Sequence, residues 1–204
     1  MNINLSELSP NKVYHTMTQT VVPRPVAWVL SEHENGKFNL APFSYFNAVC
    51  SSPPVVMLSI GRKPDGRDKD TFRNIVERKR FVIHLAHPEL APQMTKSAKV
   101  LPDGESELEL IDMDTVEFEG FELPRLKDAR IAFACELYKL DTIGENDQNL
   151  VFGKLLRIWL DDEVVAEDDK GRMKVMADKL SPLARLGGNE YVTAGNILDI
   201  PRES

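Results

Sequence analysis

The segment 69-KDTFRN-74 is the strongest local candidate for binding chemistry in this chain. Phe72, Ile75 and Val76 fall at i, i+3 and i+4, which predicts a helix from about residue 70, with Asp68 or Asp70 available to cap its start. Lys69 and Thr71 then stand in the first turn, where unpaired backbone N–H groups and the positive end of the helix dipole attract an anion. Both side chains add donors, so a phosphate fits there. Arg62 and Arg67, in the loop just before, raise the local positive charge of an otherwise acidic chain. An ordinary capped helix with a surface lysine has the same spacing, and the residues alone leave both readings open.

A second candidate is 39-NLAPFSYFNAV-49, which concentrates Phe43, Tyr45 and Phe46 in a chain with only 7% aromatic residues. As a core strand it puts Tyr45 and Asn47 on one face, Ser44 and Phe46 on the other. As a site, Ser44, Asn47 and nearby backbone amides hydrogen-bond a flat heteroaromatic ligand beside an aromatic wall, with the Lys69 and Thr71 site holding its other end. The remaining reactive side chains offer less. His15, His33, His84 and His87 show no HxH or HExxH spacing, and no GxSxG elbow accompanies them. His87, at a strand end before Pro88, is the histidine best placed to form a site wall. The acidic pairs Asp161–Asp162 and Asp168–Asp169 sit in turn-like contexts and read as solvated faces. Cys50 and Cys135 lie far apart in apolar runs and read as buried small hydrophobes; no metal site is expected.

Composition limits the partners. At 204 residues and 42% hydrophobic content the chain is expected to form a single domain, residues 1–204, with a proper core. A net charge of −7 argues against a broad surface for nucleic acid or anionic membrane, so any phosphate must be met locally. The N-terminus lacks the charged and apolar regions of a leader, and nowhere do about 18 apolar residues run together, so a soluble cytoplasmic protein is expected.

The elements that must position these residues read as mainly β. Strands are predicted at 26–31, 44–51, 55–61 and 81–86, and as two long runs at 130–144 and 149–162 joined by a turn at Asn146, Asp147 and Gln148. Helices are predicted near 70–79 and from Pro88 to about Ser97. In the opening segment 6–25 there is no clean period, and Pro10, Pro23 and Pro25 are expected to interrupt any long helix. Connections too short for βαβ crossovers favour an antiparallel barrel or sandwich, and no GxGxxG opens a helix, which disfavours a conventional dinucleotide fold.

Three motifs in order, 23-PRPVAWVLSEHENGKFNLAPFSYFNAVCSSPPVVMLSIG-61, 69-KDTFRNIVERKRFVIHL-85 and 182-PLARLGGNEY-191, resemble the flavin reductase-like family of FMN-binding split barrels, which includes flavoredoxin. The resemblance runs from about Pro23 to Tyr191. It implies a six-stranded antiparallel split β-barrel with a few added helices, usually a homodimer with flavin near the subunit interface. Carried over motif by motif, Ser44, Tyr45, Phe46 and Asn47, with Ser59, Ile60, Gly61 and Arg62, would line the flavin. Lys69 and Thr71 would hold its phosphate, Trp28 and Ser31 would lie beside the ring, and Arg185 with Tyr191 would cover the site. The sequence departs from the family pattern at His84, where asparagine is common, and at Trp159, where a polar residue or histidine is frequent. The implied function is an FMN-dependent NAD(P)H:flavin oxidoreductase passing electrons to an acceptor. Its alternatives are an FMN-binding electron carrier reduced by a partner protein, and an interaction module without cofactor.

Overall fold

The computed structural model describes residues 1–200. Seven strands build its main sheet: β1 Ala27–Glu32, β2 Phe38–Phe43, β3 Phe46–Ser51, β4 Pro54–Ile60, β5 Arg80–His84, β6 Ile131–Ile143 and β7 Gln148–Leu160. They are hydrogen-bonded in the order β2-β1-β5-β6-β7-β4-β3, and every pair is antiparallel. The two edge strands, β2 and β3, are consecutive in sequence and joined only by Ser44 and Tyr45. Across that joint the chain reaches about 11 Å at most, whereas the edges of a flat seven-stranded sheet would lie about 29 Å apart. The sheet therefore curls until its edges meet without pairing, which is a split barrel. Seven strands rather than six form it, because Phe38–Phe43 and Phe46–Ser51 are separate strands on either side of this corner. The stretch 39–49 is thus the seam of the barrel rather than one continuous core strand.

Alternation along β1 separates two cores. Ala27 and Val29 point into the barrel with Phe43, Leu58, Ile60, Phe81, Cys135 and Val151, while Trp28 and Leu30 point outward beneath helices and loops that contribute Met94, Ile111, Phe118 and Leu126. Both faces of β1 are covered, which explains its unbroken apolar run. Gly153 is required inside the barrel, since a Cβ there would stand 2.5 Å from the Phe81 ring.

Among the described residues, five α-helices decorate the barrel: α1 Pro10–Thr20, α2 Asp70–Arg78, α3 Ala91–Lys96, α4 Glu107–Ile111 and α5 Ala177–Leu180. The opening segment contains an 11-residue helix after all. Pro10 occupies its first turn, where a missing N–H breaks no bond, and Pro23 and Pro25 lie beyond its end. The predicted helix from Pro88 is a 3-10 turn, Pro88–Leu90, running into the shorter α3. Cys50 is exposed on edge strand β3 rather than buried, because that strand has no neighbour beyond it, whereas Cys135 is fully buried. A small sheet ties the ends of the chain together: Arg24–Pro25 pairs with Ala184–Arg185, which pairs with Tyr191–Val192. Among the described residues no helix is long and apolar enough to cross a membrane.

Candidate functional site

Where β2 ends, α2 begins and the 97–101 loop passes over, a cavity of about 330 Å³ opens. Lys69 sits at the N-cap position of α2, and no side chain caps the helix start, so neither Asp68 nor Asp70 does so. Asp68 instead holds Arg62 at 2.9 Å and accepts from Asn149, while Asp70 pairs with Lys63 at 3.0 Å and with Arg73. Lys63 also reaches Asp103 at 2.7 Å, and Arg67 pairs with Asp65 and Asp103. Burial disfavours the Lys63 ammonium, but its bonds to Asp103 and Asp70 outweigh this and leave its pKa raised. The same Lys63 bond holds the Asp103 carboxyl down at about 2.

Lys69 differs from these neighbours. It is half-buried, has no carboxylate partner among the described residues, and lies 5.4 Å from the centre of the Phe43 ring. Burial lowers its pKa, and no anion counteracts the cost. Beside it, Thr71 is 1% exposed and its hydroxyl accepts a 2.8 Å bond from Asn39, leaving the O–H proton without an acceptor among the described residues. Asn39 also donates to Ser31, which accepts from Asn74 as well, so a buried amide and hydroxyl network fixes Thr71 from behind. On the opposite wall Glu107 accepts from the Leu40 backbone N–H at 2.8 Å, satisfying a donor on the outer edge of β2. Burial pushes its carboxyl up to about 7, aided by the nearby Asp70 charge.

A second cavity, of about 430 Å³, adjoins the first; Pro42 and Ala98 belong to both. It is bordered by Ser44, by Arg24, by Tyr14 and His15 of α1, and by Arg185 and Tyr191 of the small sheet. Arg185 stacks on the Tyr191 ring with 4.6 Å between guanidinium and ring centre, and donates to the Tyr191 hydroxyl and the Gly188 carbonyl.

The flavin reductase like domain family model matches residues 17–178. The chain belongs to this family. It is 36% identical over 203 residues, 97% of each chain, to YwrF, an uncharacterised protein of Bacillus subtilis. Among solved structures it resembles nitrilotriacetate monooxygenase component B from Bacillus cereus, with 33% identity, 98% of each chain covered and a TM-score of 0.88. It also resembles the 2-nitrobenzoate 2-nitroreductase NbaA of Pseudomonas fluorescens, with 29% identity, 100% of this chain and 97% of that one covered, and a TM-score of 0.88.

Membership of this family implies a flavin, and FMN carries a phosphate that the first cavity has the donor chemistry to meet. Lys69 supplies an uncompensated cation, Thr71 a free hydroxyl proton, and the start of α2 a turn of uncapped backbone N–H groups. Of the other residues singled out from the sequence, Arg62 borders this cavity but is tied to Asp68, and Ser44, Arg185 and Tyr191 border the second. Trp28 is fully buried and reaches the first cavity only through Ser97, to which its indole N–H donates at 2.9 Å. Ser31 acts through Asn39. The others face neither cavity. Phe46 and Ile60 pack with the barrel interior, the Tyr45 carbonyl accepts from the Ser59 N–H, Gln148 donates to the Ser59 hydroxyl and abuts Gly61, and Asn47 is exposed on β3.

Of the histidines weighed in the sequence, His84 is accounted for by packing. His84 donates from Nδ1 to the Trp28 carbonyl and accepts at Nε2 from the Leu126 N–H, a neutral tautomer whose pKa burial drives down to about 3. His87 is buried with its Nε2 3.0 Å from Glu89 and its Nδ1 without a partner among the described residues, and it borders neither cavity. Trp159 lies under the Arg125 guanidinium, 3.4 Å from its ring centre. Sequence reasoning passed over Asn39, Ser97 and Glu107. Asn39 stands in the quoted aromatic stretch, and a polar residue beginning an apolar run was its only signal; Glu107 was hidden in a polar acidic segment.

Proposed function

We propose that this member of the flavin reductase like domain family is an FMN-dependent oxidoreductase that takes electrons from NAD(P)H and delivers them to an acceptor, acting as a homodimer in the cytoplasm. The observation that carries the reading is Lys69, a half-buried cation without a counter-ion beside the hydroxyl of Thr71 and the uncapped start of α2. A phosphate dianion supplies the missing charge. When bound, FMN supplies the redox chemistry that no side chain of the site carries.

The protein's own part is to bind, orient and keep water out. Lys69 and the first N–H groups of α2 hold the phosphate, and Thr71 donates to it with its oxygen fixed by Asn39. Ser97, held by the Trp28 indole, fixes part of the wall above β2. Burial holds the Glu107 carboxyl up at about 7, so below neutral pH the wall it forms adds little negative charge against the phosphate. The names of the two similar structures, a monooxygenase component and a nitroreductase, agree with a redox role. Tyr138, Ile143 and Ile158, each more than half exposed on β6 and β7, support burial against a second copy.

Mixing the flavin-loaded protein with NADH or NADPH without air tests the reading. Bleaching of the flavin absorbance by either nicotinamide is expected. A flavin that stays oxidised with both, while a protein donor reduces it, would make the chain an electron carrier instead. Size-exclusion chromatography with light scattering should give twice the 23.0 kDa chain mass; a monomer in the flavin-bound state contradicts the dimer.

A further inference from the structure

Two acidic side chains border the first cavity, and they differ in what balances them. Asp70 pairs with Lys63 at 3.0 Å and with Arg73. Glu107 is only 6% exposed and has no cation partner among the described residues; its Oε2 accepts from the Leu40 backbone N–H. The cations that face the same space come from the segment before α2 and from the 97–101 loop: Arg62, Lys63, Lys69 and Lys99. Arg62 is held by Asp68 and Lys63 by Asp70 and Asp103, Lys99 is exposed, and Lys69 is the half-buried one left unpaired. The part of β2 that borders the cavity, Asn39 and Ala41 to Phe43, brings no titratable group. Burial holds the Glu107 carboxyl up at about 7; the Asp70 charge adds to this, and its bond from Leu40 and the Lys63 charge oppose it.

A phosphate dianion in this cavity faces Glu107 across a space with little room for water. Negative charge at that range favours the neutral carboxyl over the carboxylate. We infer that Glu107 takes up a proton from solvent as a phosphate monoester enters the cavity, so that occupancy of the site is coupled to acidity around neutral pH. This coupling rests on the phosphate reading of the Lys69–Thr71 cavity and adds a control of affinity to it. The sign follows from linkage: the occupied protein binds more protons than the empty one, so affinity falls as pH rises above about 7. The ligand's own titration does not produce that fall, since a phosphate monoester completes its second ionisation from about pH 6 upwards and gains charge for Lys69 to meet.

Calorimetric titration of the flavin-free protein with FMN and with riboflavin, at pH 7.5 in two buffers of different protonation enthalpy, counts the protons taken up. FMN should bring about half a proton with it, riboflavin close to none, and FMN affinity should fall about threefold or more from pH 7 to pH 8.5. Glu107→Gln keeps an acceptor for the Leu40 N–H and should lose most of the uptake and of the pH dependence. The comparison of the two flavins on the unaltered protein holds even if the variant does not fold. FMN that fails to bind defeats the phosphate reading and the coupling together. FMN that binds more tightly than riboflavin without net proton uptake, or with an uptake that survives intact in folded Glu107→Gln, leaves the phosphate reading standing and overturns the coupling.

Discussion

Two groups of cations border the start of α2, and they behave differently because of what faces them. Lys63, Arg67 and Arg73 form a ladder with Asp65, Asp70 and Asp103, and Arg62 is held by Asp68. Lys69, in the middle of the same segment, has only the Phe43 ring and the cavity in front of it. The first group is structural: its charge is spent locally, and its loss is felt as instability. In the second, charge is left available for a ligand. Sequence proximity does not separate the two; the direction in which each side chain leaves the helix start does.

The largest expected effect breaks the first group. Lys63 is 7% exposed, so Lys63→Met removes the buried cation that bridges Asp70 and Asp103 and leaves them to Arg73 and Arg67 at the rim. Unfolding free energy should fall by about 3 kcal/mol in a urea titration. A loss under 1 kcal/mol would show that the ladder is a solvated surface feature.

Next comes Glu107, whose folded pKa of about 7 exceeds its ordinary 4.5. The folded state then binds more protons than the unfolded one between these values, so this group's contribution is present below about pH 4.5 and lost as pH rises through about 7. Glu107→Gln keeps an acceptor for the Leu40 N–H and removes the charge. It should raise stability by about 2 kcal/mol at pH 8 and change little at pH 4. Equal effects at both pH values contradict the assignment.

Lys69→Ala addresses the second group. It should weaken FMN binding by about 1–3 kcal/mol in a fluorescence titration, through loss of a charge-assisted bond, with thermal stability kept or raised. Arg62→Ala, which breaks an exposed pair, should cost about 0.5 kcal/mol of stability and leave FMN affinity within about threefold. A larger effect on FMN from Arg62 than from Lys69 would reverse the division between the two groups.

Much of the fold could be read because it rests on periodicity. The alternation in 131–143 and 148–160 and the i, i+3, i+4 pattern of Phe72, Ile75 and Val76 directly encode buried faces. The corner at Ser44 and Tyr45 could not be read that way, since strand residues continue on both sides of it and only closure of the barrel forces the break. The helix at 10–20 was masked because proline was weighed by its presence rather than by its place in the first turn. At the site, Lys69 and Thr71 were legible from helix-terminus chemistry. Asn39 and Glu107 were not, because their roles depend on long-range contacts, to Thr71 and Leu40, that no local pattern records.

The central claim is that Lys69, Thr71 and the start of α2 hold a phosphate, and paired titrations of flavin-free protein with FMN and riboflavin test it most directly. FMN should bind at least tenfold more tightly than riboflavin, and Lys69→Ala should remove most of that preference. Equal affinity for the two flavins in the unaltered protein, or a preference that survives loss of Lys69 intact, would contradict it.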